Sequence, residues 1–243
     1  MPKKKKAEKL KRFTQWLCTP DNKCTPFQSL PFTENLNWRI FRIMAEFIEG
    51  FEFLSKLKNE VTIFGSARSA PSSKHYKMAQ RLGYLLGKGK YTVITGGGPG
   101  IMEAANRGAF EAKGESVGLD IELPQAQRRN KYSLKDIVFH YFFTLKVMLS
   151  ASAQAYVIFP GGFGTIDEMS EMLTLIQTQK IPREVPLILV DKEYWTPFLD
   201  WVKKTLLKEN NYVDESNVAI MQLVDTAEEA YAIIKKTSER SFG

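Results

Sequence analysis

Two hydrophobic rhythms divide this chain. From Trp38 to Leu57 the apolar residues Trp38, Phe41, Ile43, Met44, Phe47, Ile48, Phe51, Leu54 and Leu57 recur at helical intervals. That spacing predicts an amphipathic helix over residues 36–58, with Gly50 as a bend or a close packing contact. Beyond Lys58 the pattern changes to short, unalternated apolar runs, each ending in a turn and followed by a helical stretch. The runs Val61–Gly65, Tyr91–Thr95, Ser116–Asp120, Ile137–Phe142, Ala155–Phe159 and Leu187–Val190 read as strands buried on both faces. Helices are expected over His75–Gly87, Ile101–Ala112, Thr144–Ser152, Thr165–Gln179, Thr196–Lys208 and Thr226–Lys236. Alternation of this kind predicts an α/β fold, a doubly wound parallel sheet with flanking helices, over residues 59–238.

Residues 1–35 follow neither rhythm. They are polar, lysine-rich and broken by Pro20, Pro26 and Pro31, and read as a loosely ordered basic arm. Lys3 to Lys6, Lys9, Lys11 and Arg12 supply seven positive charges against a net charge of +7, so the remainder of the chain is close to neutral. The basic pI therefore describes the arm, and a nucleic-acid partner is not expected. No apolar segment follows the lysines as in a secretory signal, and no run is long enough to span a membrane, so a cytoplasmic protein is expected. Cys18 and Cys24 are too few and wrongly spaced for a zinc site, and read as free thiols.

Ligands of open parallel sheets bind beyond the carboxyl ends of the strands, and three loops lie there. The first is Gly65-Ser66-Ala67-Arg68. The second runs from Gly96 through Gly97, Gly98 and Gly100 to Met102 and Glu103. The third is Pro160-Gly161-Gly162-Phe163-Gly164-Thr165. Glycine lets the backbone approach an anion closely, and the helix that follows aims its N–H groups at it. Two such loops in one sheet point to a phosphate-bearing ligand, with Thr165 as a further donor. Neither loop is a Walker motif and neither spells GxGxxG, although Asp120 lies about where a dinucleotide site keeps its ribose-binding acid.

Glu168 follows Thr165 by three residues. That spacing fits a capping box, and it equally fits a carboxylate facing the ligand loop. Asp167 and Glu171 read as acids favoured near a helix start. Beside a phosphate, a carboxylate makes chemical sense if positive charge develops on the ribose, as in cleavage of an N-glycosidic bond. Ser66 and Arg68 are candidate ligand contacts, and Glu103 is either a cap partner or a second acid. Arg128, Arg129 and Lys131 lie in a polar loop that either closes over the ligand or is simply solvated. His75 and His140 read as structural. The apolar positions of Thr165–Gln179 read as core and dimer packing.

The stretches GGGPGIMEAANRGA (96–109) and PGGFGTIDE (160–168) closely resemble the paired motifs of the Lonely Guy (LOG) family. These are cytokinin-activating nucleotide phosphoribohydrolases, often mislabelled as lysine decarboxylases. VTIFGSAR (61–68), LTLIQTQKI (173–181) and EFIEGFEFL (46–54) support the likeness, which spans roughly residues 45–225. It implies a Rossmann-like fold, a homodimer, and hydrolysis of a nucleoside 5′-monophosphate to free base and ribose 5-phosphate without cofactor or metal. Glu168 corresponds to the family's catalytic glutamate. Gly97, Gly98, Gly100, Gly161, Gly162, Gly164 and Thr165 correspond to its phosphate and ribose contacts.

One position departs from the motif. Leu145 stands where the family carries an arginine counted as catalytic, and Lys146 beside it is retained. Leucine offers no hydrogen bond to phosphate or departing base. Two expectations follow: a hydrolase in which Arg68 or Lys146 assists Glu168, or a non-hydrolytic carrier of a nucleotide or phosphorylated cofactor. Nothing suggests a pyridoxal phosphate lysine with its supporting acid, so lysine decarboxylation is not expected.

Overall fold

The computed structural model of the chain describes residues 36–122, 130–151 and 153–240. The lysine arm, both cysteines, Arg128 and Arg129 lie outside the described residues. The chain divides into two units, residues 1–48 and 49–243, and helix α1 (Leu36–Leu54) begins in the first and ends in the second. Within the first unit, Trp38 and Phe41 meet at 5.7 Å between ring centroids, and Arg42 reaches Glu46 at 3.8 Å.

The second unit is built on one sheet. Strands β1 (Glu60–Phe64), β2 (Thr92–Thr95), β3 (Ser116–Ile121), β4 (Lys135–Phe139), β5 (Ala155–Ile158), β6 (Leu187–Val190) and β7 (Met221–Val224) lie in the order β4-β3-β2-β1-β5-β6-β7. Every neighbouring pair is parallel. All residues of β1, β2, β5 and β6 are buried, which is why these strands read as unbroken apolar runs. Helices α2 (Lys74–Lys88), α3 (Ile101–Glu111), α4 (Phe142–Ala151), α5 (Phe163–Gln177), α6 (Lys192–Trp201), α7 (Glu215–Val218) and α8 (Ala227–Ile234) connect them or follow. Buried residues of α2, α3 and α8 share one core with Val61, Ile63, Val157 and Ile188. The right-handed crossover rule puts α4, α5 and α6 on the other face. The fold is α/β and Rossmann-like.

Three elements depart from the sequence expectation. The fourth strand is Lys135–Phe139 rather than Ile137–Phe142, because α4 already begins at Phe142. Strand β7 was not expected: it is four residues at a sheet edge, with Gln222 exposed among its apolar neighbours. Helix α6 starts at Lys192 rather than Thr196 and continues through Val202–Glu209 in wider π-helical turns.

Strand order also explains where a ligand belongs. The chain moves outward from β1 through β2 and β3 to β4, then returns across the sheet to β5 on the other side of β1. That reversal is the topological switch point, and the crevice above it is the binding position of such sheets. The first and third loops leave β1 and β5, the two strands that flank it.

Helices α2 and α3 pack at backbone distance. A Cβ on Gly83 would strike the Ala105 carbonyl oxygen, and one on Gly108 would strike the Gln80 carbonyl oxygen. Alanine at an exposed helix position is normally favoured over glycine by about 0.5–1 kcal/mol. Here the sign reverses. Gly108→Ala is expected to destabilise the fold by about 1–3 kcal/mol through overpacking, read as a lowered urea midpoint at unchanged m-value. An unchanged or raised midpoint contradicts this packing.

Candidate active site

The three loops are held together by one residue. The Ser66 N–H donates to the Pro160 carbonyl at 3.1 Å, and the Ser66 carbonyl accepts from the Ile101 N–H at 3.0 Å. A Cβ on Gly100, where φ is +70°, would collide with the Ser66 carbonyl oxygen. One on Gly161 would collide with Thr165 Oγ1 and come within 3.0 Å of the Ser66 nitrogen. These glycines are therefore demanded by contact between loops. The Ser66 hydroxyl turns back into its own loop and accepts from the Arg68 N–H at 3.1 Å. Arg68 itself is exposed.

A buried polar network fixes the second loop. Asn106, fully buried on α3, donates from Nδ2 to Ser116 Oγ at 2.9 Å and to the Val117 carbonyl at 3.2 Å. Its Oδ1 accepts from the Thr95 hydroxyl and from Asn130 Nδ2. Asn130 also donates its backbone N–H to the Gly97 carbonyl at 3.0 Å and its side-chain amide to the Gly98 carbonyl at 3.2 Å. Thr95 Oγ1 accepts from the Gly97 N–H. Gly97, at φ +65°, lies so close to Asp120 that a side chain there would strike its carboxylate. Asp120 thus backs the glycine loop. Met102 leans over Gly96, its sulfur 3.0 Å from where a Cβ would sit, and Glu103 is partly exposed one turn into α3.

The third loop differs from its sequence reading. Helix α5 begins at Phe163 with Gly162 as N-cap and no side-chain cap, so Thr165 is already inside the first turn. The capping box between Thr165 and Glu168 is absent, and Glu168 is free of that duty. Helix α3, with Gly100 as N-cap, likewise has no side-chain cap. Two helix starts without side-chain caps leave backbone donors and positive dipole ends at the carboxyl edge of the sheet, an arrangement suited to an anion. A Cβ on Gly162 or Gly164 meets no atom within 4 Å, so the fold itself does not require glycine at either position.

Glu168 stands in an acidic cluster. Lys146 of α4 reaches Asp167 at 2.8 Å and Glu171 at 3.1 Å. Burial pushes the Glu168 carboxyl up to about 8, helped by Asp167 and Glu171 and opposed by Lys146. Burial draws the Lys146 ammonium down, but its hydrogen bonds to Asp167 and Glu171 outweigh that and hold it above the ordinary lysine range. Lys146 is therefore a clamp on α5 rather than a free cation. Leu145, one position earlier, is 5% exposed and belongs to the core. Met169, Met172 and Ile176 of α5 are core residues as well.

Each histidine lies against a carboxylate. His75 Nε2 lies 2.6 Å from Asp191 Oδ2, and Lys74 approaches the same oxygen at 3.4 Å. Asp191 ends β6 at the carboxyl edge, so the pair joins the start of α2 to the β6–α6 junction. His140 lies just past β4, exposed, with Nδ1 2.9 Å from Glu122. The sequence reading also missed Tyr194, whose hydroxyl donates to the Gly161 carbonyl at 2.7 Å, and the Thr95–Asn106–Asn130 network. One available signal was Asn106 itself, a polar residue amid Ala104, Ala105 and Ala109 on a packed helix.

A family model described as "Possible lysine decarboxylase" matches residues 102–234, more than half of the chain. The chain belongs to this family, the LOG family of the two glycine motifs. One curated LOG relative is the cytokinin riboside 5′-monophosphate phosphoribohydrolase of Rhodococcoides fascians. It is 26% identical over 148 residues, covering 59% of this chain and 73% of the relative. A structural-genomics X-ray structure superposes at TM-score 0.55 with 27% identity, covering 73% of this chain and 99% of that one. The molybdenum cofactor binding protein of Rippkaea orientalis superposes at TM-score 0.52 with 23% identity, covering 72% and 93%. At that identity it shows the shared LOG-type fold alone. Among the described residues, no group of three His, Cys, Asp or Glu is placed to hold a metal, and no helix is long and apolar enough to cross a membrane.

Asn106→Leu tests the buried network. It keeps the branched shape, at some cost in overpacking, but strips partners from Thr95, Ser116 and Asn130. Destabilisation of about 2–4 kcal/mol by urea titration is expected; a loss below about 1 kcal/mol would show that the network carries little.

Proposed function

We propose that this chain hydrolyses the N-glycosidic bond of a nucleoside 5′-monophosphate, releasing the free base and ribose 5-phosphate. The observation that carries the reading is the pairing of Glu168 with glycines the fold does not need. Gly162 and Gly164 face open space at a helix start without a side-chain cap, one turn from the half-buried carboxyl of Glu168. The 5′-phosphate rests against the loops at Gly97, Gly98, Gly100, Gly161, Gly162, Gly164 and Thr165. Ser66, Met102 and Glu103 border the nucleoside. As the C–N bond breaks, its electron pair leaves with the base and positive charge grows on the ribose. The Glu168 carboxylate stabilises that charge and orients a water, whose oxygen bonds to the anomeric carbon. The water gives up a proton, and the departing base takes one up. Lys146 offsets part of the charge of Asp167 and Glu171 around Glu168, and the exposed Arg68 is a second cation that reaches the ligand. Family membership and the phosphoribohydrolase relative support a hydrolase.

A second reading, a carrier that binds without hydrolysis, is favoured by Leu145, which is buried where the motif carries arginine. Proteins of this fold that bind or carry molybdenum cofactor show that the scaffold can serve such a role. Free-base release from a panel of nucleoside 5′-monophosphates, measured by chromatography, separates the two. Release by the native chain and not by Glu168→Gln supports the hydrolase. Tight binding without release supports the carrier.

The sign of the Glu168 shift sets a pH dependence. The ionised form does the work in this mechanism, and at pH 7 only about a tenth of the carboxyl is ionised when its value is about 8. Base release should rise about tenfold per pH unit below 8 and level off above it. The raised value also means that the folded state binds the Glu168 proton more tightly than the unfolded chain. Stability from this group is full below about 4.5 and falls as pH rises towards 8. Glu168→Gln should therefore melt about 10 °C above the native protein at pH 8 and lose that advantage at pH 4. A higher-melting variant at both pH values would reject the linkage.

Gly164→Ala separates ligand demand from fold demand. It should fold with stability equal to or about 0.5–1 kcal/mol above native, since a helical alanine replaces glycine without a clash. Its affinity for a nucleoside 5′-monophosphate, by calorimetry, should fall at least about tenfold. Native affinity with native stability would remove the third loop from the phosphate site.

A further inference from the structure

The opposite edge of the sheet holds a cavity that the proposed reaction does not use. Its volume is about 830 Å³, within the range of small-molecule sites. Its lining includes Gln154, just before β5; Lys180 and Glu184, on the connection into β6; and Lys236, Glu239 and Arg240, beyond α8. In a parallel sheet all strands begin at one edge, so this cavity lies a full strand length from the glycine loops.

Gln154 forms part of the cavity wall. The residue is 2% exposed, and its Nε2 donates to Thr237 Oγ1 at 2.7 Å. The single Thr237 hydroxyl proton goes to the Ile234 carbonyl at 2.7 Å, so that oxygen must accept from Gln154. This fixes the amide orientation and leaves Gln154 Oε1, a buried acceptor, without a donor. Unpaired buried acceptors are uncommon and costly, and this one lies in the wall behind the cavity. Charge of both signs surrounds it. Arg240 is held by donating to the Ser150 carbonyl at 3.1 Å and the Tyr156 hydroxyl at 3.3 Å. Glu239 accepts from the Asn59 N–H at 3.4 Å. Among the described residues, Lys180, Lys236 and Glu184 enter no ion pair.

We infer that this cavity is a second ligand site, for a free amino acid or similar small zwitterion. The ammonium group meets Glu184 and Glu239, while the carboxylate meets Lys180, Lys236 and Arg240. A purely anionic ligand would leave two glutamates opposed to it, and a purely cationic one would meet three bases. A zwitterion satisfies both signs of charge.

The test uses saturation-transfer NMR on the full-length chain with each of the twenty standard amino acids, then calorimetry on those that bind. At least one should bind. Its N-acetyl and carboxamide derivatives should each bind about tenfold more weakly, since each removes one charged hydrogen-bonding group. Lys236→Ala and Glu184→Gln, both at exposed positions that leave the core intact, should weaken binding about fivefold or more. Glu168→Gln should bind like the native chain, which separates this site from the proposed catalytic one. No saturation transfer from any amino acid at about 10 mM, which bounds Kd above the millimolar range, overturns the inference. So does binding that neither Lys236→Ala nor Glu184→Gln alters.

Discussion

The site depends on two hydrogen bonds made by the peptide of Ser66. Its N–H reaches the loop after β5 and its carbonyl holds the first amide of α3, so one residue ties the two sides of the switch point together. Parallel pairing runs out at Phe64 and Ile158, and the sheet would otherwise splay there into three independent loops. Contact at backbone distance leaves no room for a Cβ at Gly100 or Gly161. The glycines are thus consequences of the tie. They let the loops meet, and only then do two helix starts converge above β1.

Charge in the cleft is arranged with little to spare. A single ammonium, Lys146, holds two carboxylates of α5 and leaves the third, Glu168, in the least solvated place. A carboxyl that resists ionisation coexists more readily with a phosphate than a fully charged one would. In the proposed reaction its charge then has most effect when positive charge grows beside it. Leu145 is absorbed into the core, so the site relies on backbone donors where an arginine would have contributed.

Much of this was written locally in the chain. Buried strands such as Tyr156–Ile158 and Leu187–Val190 announce themselves as apolar runs, and the glycine loops that follow them name the working edge. The edges of the sheet were harder to read for a physical reason. Lys135 and Asp136 of β4 face solvent, and so does Gln222 of β7, so neither strand carries the apolar signature of a central one. Helix α5 was misread because Thr165 looks like a cap, whereas the chain turns into helix at Gly162, where no side-chain cap is needed. Asn130 with Gly98, His75 with Asp191 and Tyr194 with Gly161 are pairings across long stretches of chain, set by packing that no local pattern encodes.

The glycines divide into two kinds, and the division leaves a trace for heredity. Gly83 and Gly108 are kept by the backbone of a neighbouring helix, whatever the protein does. Gly162 and Gly164 face open space and, under the proposed function, answer only to a guest. Over generations the first pair records ancestry of the fold, and the second records continued use of the cleft. A descendant released from its ligand would keep the former and drift at the latter, so these two loop positions are where a change of occupation would first be written.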